Sequence, residues 1–191
     1  MNVGLFFGSF NPIHIGHLII ADAIVDYAQL DEVWFVVSPQ NPFKKKSSLL
    51  HEFDRLDMVR EAIKNNDRFR ATDVEFSMPQ PSYTIDTLTY LSEKFPRHKF
   101  QVIAGGDNLS HFHKWKNHEK ILEYGLIVYP RPQSKPSRFD EHPKVSFVPA
   151  PMVDISATFI RNNILNGKSV RYLVTEGVLE LIESRKYFLK S

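Results

Sequence analysis

The 191-residue chain balances 24 Lys and Arg against 22 Asp and Glu, a formal charge of +2, and is 42% hydrophobic with 15 Phe. That composition excludes a disordered or collagen-like chain, and the near-zero charge argues against a nucleic-acid partner, so any anion site must come from local clustering. Cysteine is absent, which excludes disulfides, thiolate metal sites and cysteine nucleophiles. No apolar stretch approaches the roughly 18 residues that a membrane span requires, and no basic flank precedes an apolar leader, so a cytoplasmic protein without a membrane partner is expected. Nothing resembles a flexible linker, and a single domain over residues 1–191 is expected.

The apolar run at residues 3–7 reads as a short buried strand, residues 8–12 supply turn chemistry, and an apolar-periodic helix begins near Ile15. A strand, a glycine turn and a helix N-terminus make a phosphate cradle, because the leading N–H groups have no internal partners and the helix dipole adds positive charge there. His14 and His17 set two imidazoles beside it. Leu18, Ala21, Ile24 and Ala28 continue the helix at spacings of three and four, and Val-Trp-Phe-Val-Val within 32–37 suits a strand buried on both faces. A right-handed βαβ crossover leaves both strand C-termini at one edge, where open α/β sheets bind ligands. The loop that follows carries Lys44, Lys45 and Lys46, which read either as a polyphosphate clamp or as a solvated charge run.

Phe53, Leu56, Val59 and Ile63 form a helical stripe over 51–65 with Arg and Glu outside, a pattern of core packing alone. Residues 69–76 read as one or two short strands, and Ser82 or Thr84 as the N-cap of a helix running to about Lys94. The buried strand at 99–104 ends in Gly105-Gly106-Asp107. Either a ligand approaches the backbone there and Asp107 accepts from ribose hydroxyls, or the segment is an αL turn with an Asp N-cap. His111, His113 and His118 lie on exposed helical turns without a carboxylate at ligand spacing, so they argue for no metal site. Trp115 among them is a core aromatic or a stacking platform. Strands are expected at 125–129 and 145–148, with a surface loop over 133–143 between them. Ser156 is an N-cap for a helix over 157–165, closed by Asn166 and Gly167. Thr158 and Arg161 share one face of its first turn, which makes a second anion site or an ordinary capped helix. A last amphipathic helix over 175–184 carries Val178, Leu181 and Ile182.

The expected fold is α/β: a Rossmann-like, doubly wound parallel sheet of about five strands with flanking helices and a helical C-terminal part. No internal repeat, Walker A sequence, dinucleotide fingerprint or serine nucleophile motif is present. Two helix N-termini bearing His and Arg, with a lysine loop, describe a site for a long polyphosphate. Phosphoryl or nucleotidyl transfer asks a protein chiefly to align the reacting oxygens and to neutralise charge on the leaving group.

Gly8-Ser9-Phe10-Asn11-Pro12-Ile13-His14-Ile15-Gly16-His17 resembles the first signature of the nucleotidyltransferase superfamily that shares the HIGH motif with class I aminoacyl-tRNA synthetases. Ile155-Ser156-Ala157-Thr158-Phe159-Ile160-Arg161 is similar to its second signature. Pro81-Ser82-Tyr83-Thr84, Asp86-Thr87-Leu88, Gly105-Gly106-Asp107, Trp115 and Arg131-Pro132 resemble the bacterial nicotinate-mononucleotide adenylyltransferases. The resemblance implies transfer of AMP from ATP to nicotinate mononucleotide, with Mg²⁺ held mainly by ATP and no protein metal ligands. It further implies that His14 and His17 contact the ATP phosphates, with Gly8, Ser9, Phe10 and Gly16 around them. Lys44 would meet the outgoing pyrophosphate, and Ser156, Thr158 and Arg161 would hold the triphosphate. Trp115 would stack on the pyridine ring, Tyr83 and Thr84 would border its carboxylate, and Gly105 and Asp107 would lie near ribose. Asn11 stands where the family usually has Asp, and Phe43 where it often has His. The alternatives are an adenylyltransferase for nicotinamide mononucleotide or phosphopantetheine, or a catalytically inactive nucleotide sensor. The oligomeric state is left open.

Overall fold

The computed structural model describes residues 1–39, 49–132 and 134–189. Lys44, Lys45, Lys46 and Phe43 lie outside the described residues. The elements, in chain order, are β1 (Asn2–Gly8), α1 (Ile15–Tyr27), β2 (Glu32–Val37), α2 (Glu52–Ile63), β3 (Phe69–Thr72) and a 3₁₀ turn (Val74–Ser77). There follow α3 (Thr84–Lys94), β4 (Lys99–Gly105), α4 (Gly106–Leu109), a 3₁₀ turn (Phe112–Lys114), α5 (His118–Tyr124), β5 (Leu126–Tyr129), β6 (Val145–Phe147), α6 (Ala157–Leu165) and α7 (Glu176–Ser184).

Successive strand residues point to opposite faces of a sheet, and here both faces are apolar. Val3, Leu5, Trp34, Val36 and Val102 pack on one side against α3 and α5 through Ile85, Leu88, Ile121 and Leu122. Phe6, Val33, Phe35, Val37 and Ile103 pack on the other side, where α1, α2, α6 and α7 bring Ile24, Val59, Ile160 and Val178. Two apolar faces demand helices on both, and the sheet is accordingly doubly wound and parallel throughout, in the order β3-β2-β1-β4-β5-β6. The strand order reverses between β1 and β4. A crevice opens at their C-terminal ends, and the first signature begins there.

The fold class is the one expected, with six strands in place of about five. The sixth is the edge strand β3, which covers only the first half of the 69–76 stretch; the rest coils into a 3₁₀ turn. Three local expectations are corrected. The N-cap of α3 is Tyr83, with no side-chain capping bond, because Ser82 is buried and turned toward Glu75 and Thr84 is already helical. Neither Gly105 nor Gly106 adopts the left-handed region; Gly105 caps α4 at φ −74°. A Cβ at Gly105 would meet the Asp107 carboxylate, and one at Gly106 the Ser134 hydroxyl.

The third correction concerns α2. Phe53 is 54% exposed, whereas Arg55, expected outside, is completely buried. At roughly 100° per residue, Arg55, Leu56, Val59 and Ile63 fall within one arc and Phe53 lies well outside it. The guanidinium donates from Nε to Leu50 O (2.9 Å), from Nη1 to Ser9 O (2.6 Å) and Ser38 O (2.8 Å), and from Nη2 to Pro39 O (2.9 Å). Burial pushes its pKa down to about 10, so the group remains charged at neutral pH. It fastens the ends of β1 and β2 to the start of α2.

Replacing this group leaves four carbonyl oxygens in a partly buried site without their donor. Arg55→Met is expected to lower unfolding free energy by about 3–5 kcal/mol, read as a fall in the urea midpoint. Arg55→Lys, with three donors and no planar fork, should recover only part of the loss. A loss below about 1 kcal/mol for the Met variant, the range of an ordinary surface change, would contradict this assignment.

Candidate active site

The C-terminal ends of β1 and β5, the N-terminal turns of α1 and α6, residues Asp107 and Asn108 of α4, and the segment after β5 enclose a cleft of about 460 Å³. Gly8, Ser9, Phe10, His14, Gly16, His17, Asp107, Ser156, Thr158 and Arg161 all line it. The two sequence signatures thus meet across one cavity.

The turn between β1 and α1 is built around a buried aromatic. Phe10 sits at φ +44°, a left-handed conformation uncommon outside glycine. Its ring packs edge-on against Phe6, Phe35 and His17 at centroid distances of 5.9, 5.6 and 5.1 Å. The ring lies directly over Gly8, where an added Cβ would come within 2.8 Å of it. Glycine at 8 and a large apolar side chain at 10 are therefore two halves of one packing solution.

His14, buried at 6% exposure, is the N-cap of α1, and His17 occupies its third position. The rings stack with centroids 3.7 Å apart and planes 28° apart. The His14 backbone N–H donates to His17 Nδ1 at 3.2 Å. With Nδ1 an acceptor, the neutral His17 ring carries its proton on Nε2. Burial first, and the nearby Arg131 charge second, push the His14 pKa down to about 4, so this imidazole is uncharged at pH 7. Its Nδ1 is buried without a hydrogen-bond partner among the described residues. Behind the ring, an added Cβ at Gly16 would come within 3.1 Å of that same Nδ1.

Across the cleft, the Ser156 hydroxyl accepts the Phe159 N–H at 3.2 Å and caps α6 as expected. Arg161 reaches back: Nη1 donates to Asn11 O at 2.8 Å and Nη2 to Thr158 Oγ1 at 3.2 Å. Partial burial pulls its pKa below the ordinary value. Arg131, following β5, lies 3.7 Å from Asp107 Oδ1 through Nε. The cleft therefore offers two guanidiniums against one carboxylate, with imidazoles, hydroxyls and two helix N-termini around them. That arrangement can bind a polyphosphate and neutralise charge developing on a leaving phosphate.

Tyr83, Thr84, Gly105 and Trp115 do not line this cavity. Tyr83 and Trp115 border the apolar core beneath α3, as does Phe7, whose neighbour Gly8 begins the turn. Trp115 is half-buried with its ring 5.3 Å from Phe112, so part of it is packed and part is open. Lys116 joins its loop to the head of α3, donating to Asp86 Oδ2 at 2.9 Å with its ammonium 4.6 Å from the Tyr83 ring centroid. Among the described residues the Thr84 and Ile85 N–H groups meet no acceptor. His111 and His113 are exposed, and no group of three or more His, Asp or Glu side chains could hold a metal ion among the described residues.

The sequence reading named Arg131 only within a family motif and gave it no role, and it missed Lys116, Arg55 and Glu75. Helical spacing could have found Arg55, one turn before Val59. Nothing in the local pattern marks Glu75, which lies in the 3₁₀ turn and is 2% exposed. Burial raises its carboxyl pKa, against the hydroxyls of Thr87, Ser82 and Ser38, which pull it down.

The depressed His14 pKa makes stability depend on pH with a definite sign. The unfolded His14 takes up its proton near pH 6.5 and the folded one only near 4, so between those values the unfolded state binds more protons. Stability is expected to fall as pH drops from 6.5 toward 4, by about 3 kcal/mol from this group. His14→Asn should flatten the decline in urea midpoints taken across that window. An unchanged slope in the variant would show that other groups cause it.

A model of the cytidylyltransferase-like family matches residues 5–163. A protein of Cytophaga hutchinsonii named "probable nicotinate-nucleotide adenylyltransferase" is 62% identical over 189 residues, covering 98% of each chain. A Flavobacterium johnsoniae protein of the same name is 47% identical over 193 residues and the whole of both chains. Among solved structures, Plasmodium falciparum nicotinic acid mononucleotide adenylyltransferase complexed with NaAD superposes with a TM-score of 0.83. It shares 21% identity, over 98% of this chain and 97% of that one, a likeness of fold. Taken with the two signatures facing one cleft, this similarity shows that the chain belongs to the nicotinate-nucleotide adenylyltransferases, nucleotidyl-transferring enzymes of the cytidylyltransferase-like family.

Proposed function

We propose that the chain transfers AMP from ATP to nicotinate mononucleotide, giving nicotinate adenine dinucleotide and pyrophosphate, a step of NAD biosynthesis. The observation that carries this reading is the pairing of an imidazole-bearing helix N-terminus with a guanidinium-bearing one across a single cleft at the strand-order reversal. In the reaction a phosphate oxygen of the mononucleotide attacks the α-phosphorus of ATP. One P–O bond forms there as the bond to the bridging oxygen breaks, and the electron pair leaves with pyrophosphate. No covalent link to the protein is required, because alignment and charge neutralisation lower the barrier.

In this reading His17, through Nε2–H, and His14 donate to the ATP phosphates, and the turn at Gly8, Ser9, Phe10 and Gly16 lets the triphosphate approach. Ser156, Thr158 and Arg161 hold it from the opposite wall. Lys44, outside the described residues, meets the outgoing pyrophosphate. Gly105 and Asp107 border ribose. Trp115 stacks on the pyridine ring, and Tyr83 with the open N–H groups at Thr84 borders its carboxylate. The support for this last assignment is the free head of α3 beside the half-open Trp115 ring.

Mg²⁺ belongs to this reading as the companion of ATP. The donors of the cleft are chiefly imidazoles, guanidiniums and hydroxyls, a set suited to phosphate oxygens and poorly suited to a hard cation that prefers carboxylates. The ion fits as part of the Mg–ATP substrate, and no residue is assigned to it. Both substrates are cytoplasmic metabolites, and the reading locates the chain there. Among the described residues no helix is long and apolar enough to cross a membrane.

Pyrophosphate release with ATP and, in parallel, nicotinate mononucleotide, nicotinamide mononucleotide and phosphopantetheine tests the assignment. Nicotinate mononucleotide should react fastest. Equal rates for the two pyridine nucleotides would defeat the acid preference, and a preference for phosphopantetheine would defeat the proposed substrate. His17→Ala should lower kcat by about 10²–10³, as for loss of one preorganised donor to a developing oxyanion, with its circular dichroism unchanged. A full rate in that variant would remove His17 from the site.

A further inference from the structure

Glu75 is a buried carboxylate that the proposed reaction does not use. Burying such a group costs several kcal/mol unless every oxygen is paired, and an apolar residue would hold a core together at lower cost. Each oxygen takes a hydroxyl from one stretch of chain, and the Ser38 hydroxyl just past β2 adds a third. Oε2 accepts the Ser82 hydroxyl at 2.9 Å and Oε1 the Thr87 hydroxyl at 2.8 Å. These two residues bracket Tyr83 and Thr84, where α3 begins. The Tyr83 carbonyl is in turn held by the Asp86 and Thr87 N–H groups at 2.9 and 3.2 Å. Glu75 therefore fixes the direction of the first turn of α3 from the core side, while Lys116 holds it from the outside through Asp86 and the Tyr83 ring.

We propose that Glu75 is a positioning residue for the acceptor: by gripping Ser82 and Thr87 it aims the free Thr84 and Ile85 N–H groups, and so sets the preference for a pyridine carboxylate over the amide. The inference rests on the proposed reading of the head of α3 as the carboxylate contact. An anion gains from two N–H groups only when both point at it, and that geometry is fixed before binding by the Glu75 bonds. A carboxamide, which presents one acceptor oxygen and an NH₂ group, gains less from the same pair.

The test is a KM and kcat comparison of Glu75→Ala, Glu75→Gln and Thr87→Val against the parent chain. Each is assayed with nicotinate mononucleotide, nicotinamide mononucleotide and ATP varied separately, below the melting temperature of each variant. Glu75→Ala should raise KM for nicotinate mononucleotide about tenfold, the loss of one hydrogen bond to a charged group. KM for ATP and kcat should stay within about threefold, a shift well under 1 kcal/mol. The acid-to-amide ratio of kcat/KM should fall with it. Glu75→Gln should restore most of the ratio, because its amide accepts from one hydroxyl and donates to the other. Thr87→Val, nearly isosteric, should shift KM in the same direction by less, and it decides the matter if Glu75→Ala does not fold. A lowered melting temperature with unchanged KM and ratio, or equal losses toward ATP and the mononucleotide, would overturn the proposal and leave Glu75 a structural group. A parent chain that does not prefer nicotinate mononucleotide would instead overturn the substrate assignment before any variant is compared.

Discussion

Two guanidinium groups hold the turn between β1 and α1, Arg55 from the α2 side and Arg161 from across the cleft, and the shape of the turn depends on them. Arg55 takes the Ser9 carbonyl and Arg161 the Asn11 carbonyl. A tight turn exposes N–H groups and carbonyl oxygens alike, and an anion is repelled by the latter. With those carbonyls bound to cations, the negative ends of the turn are neutralised and its remaining character is that of a donor surface. The same two residues reach it from α2 and α6, elements far apart in the chain. The shape of one short turn is thereby tied to the packing of the whole α1-side layer.

The charge of the cleft follows a division of labour. His14 is kept neutral by burial and by Arg131, and its stacking on His17 at 3.7 Å carries no like-charge repulsion from its side. Permanent positive charge comes from the guanidiniums of Arg131 and Arg161. Asp107 sits against Arg131 and offsets part of that charge at one end only.

Most of the architecture was legible because it rests on periodicity. Val33, Phe35 and Val37 against Trp34 and Val36 announce a strand buried on both faces, and Ser156 before Ala157 announces a helix start that the structure reproduces to the residue. The signatures brought His14, His17 and Arg161 to one cleft. What escaped has a common physical cause: the energetics of polar groups inside the protein depend on partners distant in sequence. Arg55 was assigned to the surface by its charge, although its helical position was a buried one and its partners are the carbonyls of Ser9, Ser38, Pro39 and Leu50. Glu75 had no signal because its meaning lies in Ser82 and Thr87. The caps of α3 were misread for the same reason, since Ser82 had a buried carboxylate as a competing partner. Tyr83, Thr84, Gly105 and Trp115, which the family resemblance assigns to the pyridine nucleotide, lie outside this cavity.

The order of the sheet has a consequence for how the chain comes into being. β1 occupies a central place, but it precedes both of its neighbours, and its pairing with β4 joins Asn2 to Lys99 across about half the sequence. During synthesis the earliest strand must wait, unpaired on one edge, for a segment made long after it, and such exposed edges invite association with other nascent chains. The wall of the cleft supplied by Ser156 to Arg161 arrives later still. A ribosome-bound chain short of that helix would hold the turn and both histidines but not the guanidinium that faces them, so the two walls of the cleft come together only late in synthesis.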